Sequence, residues 1–452
     1  MSNNPVAPLP PGGIPEPSAR RIALRVTPEA ERAVRAGHPW LFDRAIREQS
    51  HEGEAGDLAV IFDRKGRFMA VGLYDPSSAL RVRILQSGQA AAIGVEWFAA
   101  RIGTALKRRA PLAAQPPAWA TTGYRLVHGE NDGLPGLVID RYGDTLVCKL
   151  YTPAWVPHLR DVVEALAGLV PAQRLVLRLA RSMAGQAEGL YGLSDGLVLS
   201  GPPLDGPVLF WESGLCFEAD VAHGQKTGFF FDQRDNRASV EKLAKGKAVL
   251  NVFAYTGGFS VYAGRGGARS VLSVDLSQPA LEAAGRNWER NQDGSSAAGR
   301  TAARVSTAVS EVTAGSGKRG RGSARARGRE HETLSGDAFE VLTLLARSGR
   351  RFGLVIVDPP AFAQTQAQVA PALASYERLT TLSLRVVEPG GTLVQASCSS
   401  RVDADTFFAA IHRAAARAGR PLRELERSGH ALDHPITFKE GAYLKCLFAT
   451  AA

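Results

Sequence analysis

Hydrophobic and polar positions divide the chain into stretches of different period. Alternation over Arg21 to Val26 and Leu58 to Phe62 predicts strands. So do Phe68-Met-Ala-Val-Gly-Leu-Tyr and Leu80-Arg-Val-Arg-Ile-Leu. Together they predict a small β-rich domain over residues 21–93, behind a Pro/Gly-rich segment 1–20 expected to be disordered. A helical pattern over 94–108 leads into 109–122, whose three prolines predict a linker. Residues 124–152 carry turn signals, Asn131-Asp132-Gly133 and Tyr142-Gly143-Asp144, between apolar runs, and predict β-hairpins. A helix over 157–169 and a strand over Arg174 to Leu179 complete a central α+β domain spanning 94–210.

From Ala248 the period changes. Apolar runs at Ala248 to Phe253, Ser270 to Asp275, Leu354 to Val357 and Thr392 to Ala396 alternate with helical stretches, including Gly258 to Ala263 and Gln278 to Asn291. That alternation predicts a Rossmann-like α/β domain over 211–452, with a parallel sheet covered on both faces. Residues 293–332 interrupt it. They are rich in Gly, Ser, Ala and Arg, with almost no large apolar side chain, and are expected to be a disordered surface insertion.

Charge and composition alter this picture little. The formal charge is +10, but residues 300–329 hold eight basic residues and one acid, which is +7 of it. Nucleic acid is therefore only one reading of the charge. Four separated cysteines, Cys148, Cys216, Cys398 and Cys446, form no CxxC pair, so reduced thiols, a cytoplasmic setting and no metal are expected. No apolar run is long enough to span a bilayer, and the N-terminus lacks the pattern of a secretion signal.

The chemistry concentrates at predicted strand ends. The loop Asn251-Val-Phe-Ala-Tyr-Thr-Gly-Gly departs from the glycine spacing suited to a pyrophosphate. Asp275 ends the next strand, placed to accept from ribose hydroxyls, and Asp337 stands where a third strand ends, placed to meet the adenine amine. An adenosine ligand without phosphates fits that set, either S-adenosylmethionine (SAM) or another adenosine-like ligand of a doubly wound domain. Asn251, Phe253, Tyr255, Thr256, Gly257, Asp275 and Asp337 are its expected contacts. Gln233 and Arg234 are candidates for its carboxylate, and the neighbouring phenylalanines wall a base pocket or simply fill the core.

Asp358-Pro359-Pro360-Ala361-Phe362 follows the fourth strand and Ser397-Cys398-Ser399 the fifth. Carbon 5 of a pyrimidine is a weak nucleophile until a thiolate adds to carbon 6. Cys398 suits that addition and Asp358 suits the polar edge of cytosine, with Pro359, Pro360 and Phe362 shaping the substrate side. Asp-Pro-Pro also suits methyl transfer to amino nitrogens, so only Cys398 points to carbon 5. The residue that removes the carbon 5 proton is unassigned.

These segments together resemble the bacterial large-subunit ribosomal RNA methyltransferase I family. The stretches that carry the resemblance include Gly37-His-Pro-Trp-Leu-Phe, Glu130-Asn-Asp-Gly-Leu-Pro-Gly, Lys226-Thr-Gly-Phe-Phe-Phe-Asp-Gln-Arg, Asp433-His-Pro and Glu440-Gly-Ala-Tyr-Leu-Lys. The resemblance implies a PUA-type RNA-binding domain over 21–93, a central α+β domain and a class I methyltransferase domain. It also implies SAM as donor, structured RNA as partner, Cys398 as nucleophile and Asp358 as a base-binding residue. A homodimer is compatible with it. The alternatives are methylation of guanine or an exocyclic nitrogen on the same scaffold, with Cys398 a bystander, and an RNA-binding ribosome assembly factor without catalysis.

Overall fold

The computed structural model describes residues 14–292 and 330–452. The expectations for residues 1–13 and 293–329 lie outside the described residues. A six-stranded sheet occupies the N-terminal part, its strands running from Arg21–Val26 to Val82–Ser87. A five-stranded sheet between Gly123–His128 and Val198–Ser200 forms the centre. In it Leu137–Tyr142 pairs antiparallel with Thr145–Leu150 across the expected Gly143-Asp144 turn, where Gly143 takes φ +61°.

Three boundaries differ from the sequence reading. The helix Val95–Ala113 runs through Pro111 into the expected linker. Buried Arg109 explains this: it donates to both oxygens of Asp132 at 3.0 and 2.6 Å and to the Asp433 carbonyl at 2.9 Å. Those contacts outweigh the cost of a proline near the helix end. The strand Val208–Glu212 crosses the expected boundary at 210, because it pairs with Leu215–Ala219 and buries Phe210 against Tyr142 and Phe217. Residues 330–332 belong to a strand rather than to the insertion: the His331 ring stacks on Trp288 at 4.7 Å and its Nε2 meets the Ser273 hydroxyl at 2.8 Å.

The C-terminal part is a seven-stranded sheet: β1 (Ala248–Val252), β2 (Ser270–Asp275), β3 (Glu330–Ser335), β4 (Phe352–Val357), β5 (Val387–Ser397), β6 (Leu422–Ser428) and β7 (Lys445–Ala451). Their spatial order is β3-β2-β1-β4-β5-β7-β6. The first five are parallel and β7 is antiparallel to both neighbours. Alternate side chains serve two cores. Leu250, Val252, Val355 and Val357 join a cluster with the helix Ala338–Arg347, while Val249, Leu354 and Ile356 join one with Ala263 and Trp288 from helices on the other face. Covering both faces gives β1 and β4 their continuous apolar runs. The strand order reverses between β1 and β4, so the crevice outside their carboxyl ends is where an open α/β sheet binds its ligand.

Candidate active site

A cavity of about 590 Å³ occupies that crevice. Phe253, Ala254, Tyr255 and Thr256 from the loop after β1 line it, with Asp275 at the end of β2, Asp337 after β3, Asp358 to Pro360 after β4, and Cys398 after β5. The loop after β1 is held in an unusual shape. Phe253 and Tyr255 take φ +62° and +46°, a strain persisting only where surroundings enforce it. Here the Asp275 carboxylate accepts from the Tyr255 amide at 2.8 Å and the Ser277 amide at 2.9 Å. Gly257, at φ +78°, passes so near the helix Gln278–Glu289 that a Cβ would stand 2.8 Å from that of Ala284.

The donor side fits SAM. Asp275 has lone pairs left for a diol. Asp337 caps the helix Ala338–Arg347 through Oδ1, which accepts from Phe339 and Glu340 amides at 2.9 and 3.2 Å, leaving Oδ2 for an amine. The Thr256 hydroxyl is buried without a protein partner on the cavity wall, an unmet polar group that a bound ligand can satisfy. Four expected contacts lie outside the cavity lining. Gly257 shapes the loop from behind it. Asn251 Nδ2 donates to the Ser260 hydroxyl at 2.9 Å, and its Oδ1 is buried without a partner among the described residues. Phe362 packs on Tyr376, with ring centres 5.1 Å apart. Arg234 grips Asp433 through two bonds of 2.8 and 3.0 Å, with Glu212 at 3.4 Å, and is buried. Its charge is committed to structure, which removes it from the carboxylate site expected of it. Gln233 does line the cavity, but its amide donates to Asp358 Oδ1 at 2.8 Å.

On the substrate side the Cys398 thiol is half-buried, 3.9 Å from the Pro359 carbonyl oxygen. The serines on either side are pinned: Tyr376 Oη lies 2.8 Å from the Ser397 hydroxyl and 2.9 Å from that of Ser399. Burial pushes the thiol up to about 11, against the pull of Lys226 and Lys445. Burial and then the charge of Asp232 push Asp358 up to about 7. The other three cysteines are buried. Phe229 and Phe231 fill an aromatic core with Tyr142 and Phe210, while Phe229 and Phe230 also face the cavity, so this run serves both purposes.

Three further residues were not singled out from the sequence: Lys226, Asp232 and Tyr443. Lys226 Nζ lies 2.7 Å from Asp232 Oδ2, and the Tyr443 hydroxyl donates to the same oxygen at 2.9 Å. The central domain braces their loop. Lys149 Nζ donates to the Lys226 carbonyl at 2.8 Å, Thr227 donates to Asp140 at 2.5 Å, and the Tyr142 hydroxyl accepts from the Phe229 amide at 3.0 Å. All three lie in stretches that carried the family resemblance, Lys226-Thr-Gly-Phe-Phe-Phe-Asp-Gln-Arg and Glu440-Gly-Ala-Tyr-Leu-Lys, but no role was read for them there.

Comparison with known proteins agrees with this geometry. A PUA-like domain model matches residues 24–87, and a S-adenosylmethionine-dependent methyltransferase model matches residues 125–305. A Deinococcus radiodurans protein named ribosomal RNA large subunit methyltransferase is 45% identical over 96% of this chain and 98% of its own length. One from Photobacterium profundum, named ribosomal RNA large subunit methyltransferase I, is 35% identical over 92% and 96%. The chain belongs to the ribosomal RNA large subunit methyltransferase I family. It is a SAM-dependent methyltransferase of that family. In fold it is similar to a provisionally named SAM-dependent methyltransferase from Streptococcus mutans, with a TM-score of 0.73, 20% identity, and 95% of this chain and 99% of that one covered. A methyltransferase solved with SAH aligns equally well, at 0.73, with 19% identity over 95% and 99% of the two chains. Among the described residues no helix is long and apolar enough to cross a membrane.

Proposed function

We propose that this protein methylates carbon 5 of a cytosine in large-subunit ribosomal RNA through a transient bond between Cys398 and carbon 6 of the base. The observation that carries this reading is the convergence of Cys398 and Asp358, from adjacent strand tips, on the cavity that Asp275, Asp337 and Thr256 also line. The names of the relatives and the PUA-like domain support an RNA substrate. A stacked base cannot reach the crevice, so the target is unpaired or flipped, and naked RNA or an assembly intermediate is the natural substrate.

Asp358 and Cys398 differ enough in acidity for the pair to hold one proton at neutral pH. In the reactive arrangement that proton is on Asp358, and the thiolate is stabilised by Lys226. Sulfur adds to carbon 6, and Asp358 gives its proton to ring nitrogen 3. Carbon 5 then carries the electron density of an enamine. SAM, when bound, supplies the electrophilic methyl group. Loss of the carbon 5 proton expels the thiolate, and Asp358 takes back the nitrogen 3 proton.

Cys398→Ala tests the reading. Methyl transfer to RNA, followed by nucleoside mass analysis, should give 5-methylcytosine with the wild type and at least about a thousandfold slower turnover with the variant. Near-normal turnover would make Cys398 a bystander, and absence of SAM binding by calorimetry would favour a non-catalytic assembly factor.

A further inference from the structure

Asp232 shares the cavity wall with Asp358, Cys398 and Lys226, and is 3% exposed. Its two oxygens differ. Oδ2 accepts from Lys226 and Tyr443, while Oδ1 is buried with no partner among the described residues. A bare buried carboxylate oxygen is costly, and anchoring Lys226 needs only the other one. Burial raises Asp232, but the charge and hydrogen bond of Lys226, with His434 and Arg125, together outweigh it and hold Asp232 far below the usual carboxylate range. Asp232 is therefore a permanent acceptor. Its neighbour Asp358 can donate, since Gln233 occupies only Oδ1 and burial favours the protonated form.

An acceptor beside a donor complements one pyrimidine edge. Cytosine offers a donor in its 4-amino group and an acceptor at nitrogen 3. Uracil offers the reverse, an acceptor at oxygen 4 and a donor at nitrogen 3. We propose that Asp232 reads the exocyclic amino group of the target cytosine through Oδ1 and thereby excludes uracil. This rests on the reading of the reaction as cytosine methylation, and it makes Asp232 a specificity-determining residue.

Asp232→Asn tests it. Lys226 and Tyr443 both donate at the Oδ2 position, so the amide should keep its carbonyl oxygen there and turn its NH2 to the Oδ1 position. The wall then offers a donor suited to oxygen 4 of uracil. The substrates are transcribed large-subunit ribosomal RNA and the same transcript with uridine at the cytosine the wild type modifies. The products are 5-methylcytosine and 5-methyluridine, measured by nucleoside mass analysis. The wild type should act on the cytosine transcript alone. The variant should lower the cytosine-to-uracil ratio of kcat/KM at least about 100-fold, with SAH affinity and melting retained. An unchanged ratio, including equal losses on both transcripts, overturns the assignment. A wild-type product other than 5-methylcytosine defeats the cytosine reading itself. Should Asp232→Asn not fold, the wild-type side chain can be probed with an RNA carrying pyrimidin-2-one, which lacks the amino group, at the target. In a Cys398→Ala background with SAH, its affinity should fall at least about tenfold relative to cytosine. Equal affinity overturns the proposal.

Discussion

Under the mechanism proposed above, the acidity of Asp358 should set the pH dependence of the reaction. Burial and the neighbouring Asp232 charge hold it up to about 7, partly opposed by Lys226 and the Gln233 amide. Cys398 stands at about 11. Between these values the pair carries one proton, and the addition step needs that state. Below about 7 it carries two, leaving no group to accept the thiol proton. Wild-type kcat/KM should therefore rise with pH, from about a hundredth of its plateau at pH 5 to about a tenth at pH 6, and level off above 7. Asp358→Asn removes the acceptor. At pH 7 the rate should fall by about 10² to 10⁴, the usual span for a lost proton-transfer group. What remains should depend on the free thiolate and so climb about tenfold per pH unit into the alkaline range. The assay is single-turnover transfer of labelled methyl groups at subsaturating RNA, with circular dichroism confirming the fold at each pH. A flat wild-type profile between pH 5.5 and 8, or the same profile in wild type and Asp358→Asn, would refute the shared-proton scheme.

The structural assignments make further predictions. Arg234→Ala should leave the buried Asp433 without its guanidinium partner, while Glu212 keeps Arg237 and Tyr262, costing about 3–5 kcal/mol and lowering the melting temperature by several degrees, with SAH affinity kept within about threefold. A folded variant that melts normally but no longer binds SAH would return Arg234 to the donor site. Asp275→Ala should weaken SAH binding about 10- to 100-fold by calorimetry, since it removes both a hydroxyl acceptor and the brace on the Tyr255 amide. Undiminished binding would show that the donor is held elsewhere.

The catalytic sheet was legible because its parallel strands are covered on both faces and read as unbroken apolar runs, with chemistry placed where those runs stop. Asp275 closes such a run and Asp358 and Cys398 follow one, and all three line the cavity, whereas Asp337 lines it after the polar, mostly exposed strand β3. Residues whose role depends on distant partners were not legible. Arg234 and Gln233 are adjacent in sequence, yet one is locked to Asp433, 199 positions away, and the other lines the cavity. Nothing local marks Asp232 as an acceptor either, because Lys226 and Tyr443 reach it from different segments. The helix through Pro111 was missed for the same reason, since Asp132 and the Asp433 carbonyl secure Arg109 only in three dimensions.

The bracing of the Lys226 loop by Lys149, Asp140 and Tyr142 binds the fate of the two folded halves together. Part of the cavity wall therefore owes its place to the neighbouring sheet. Recombining halves between relatives should succeed only where this seam is exchanged as one piece.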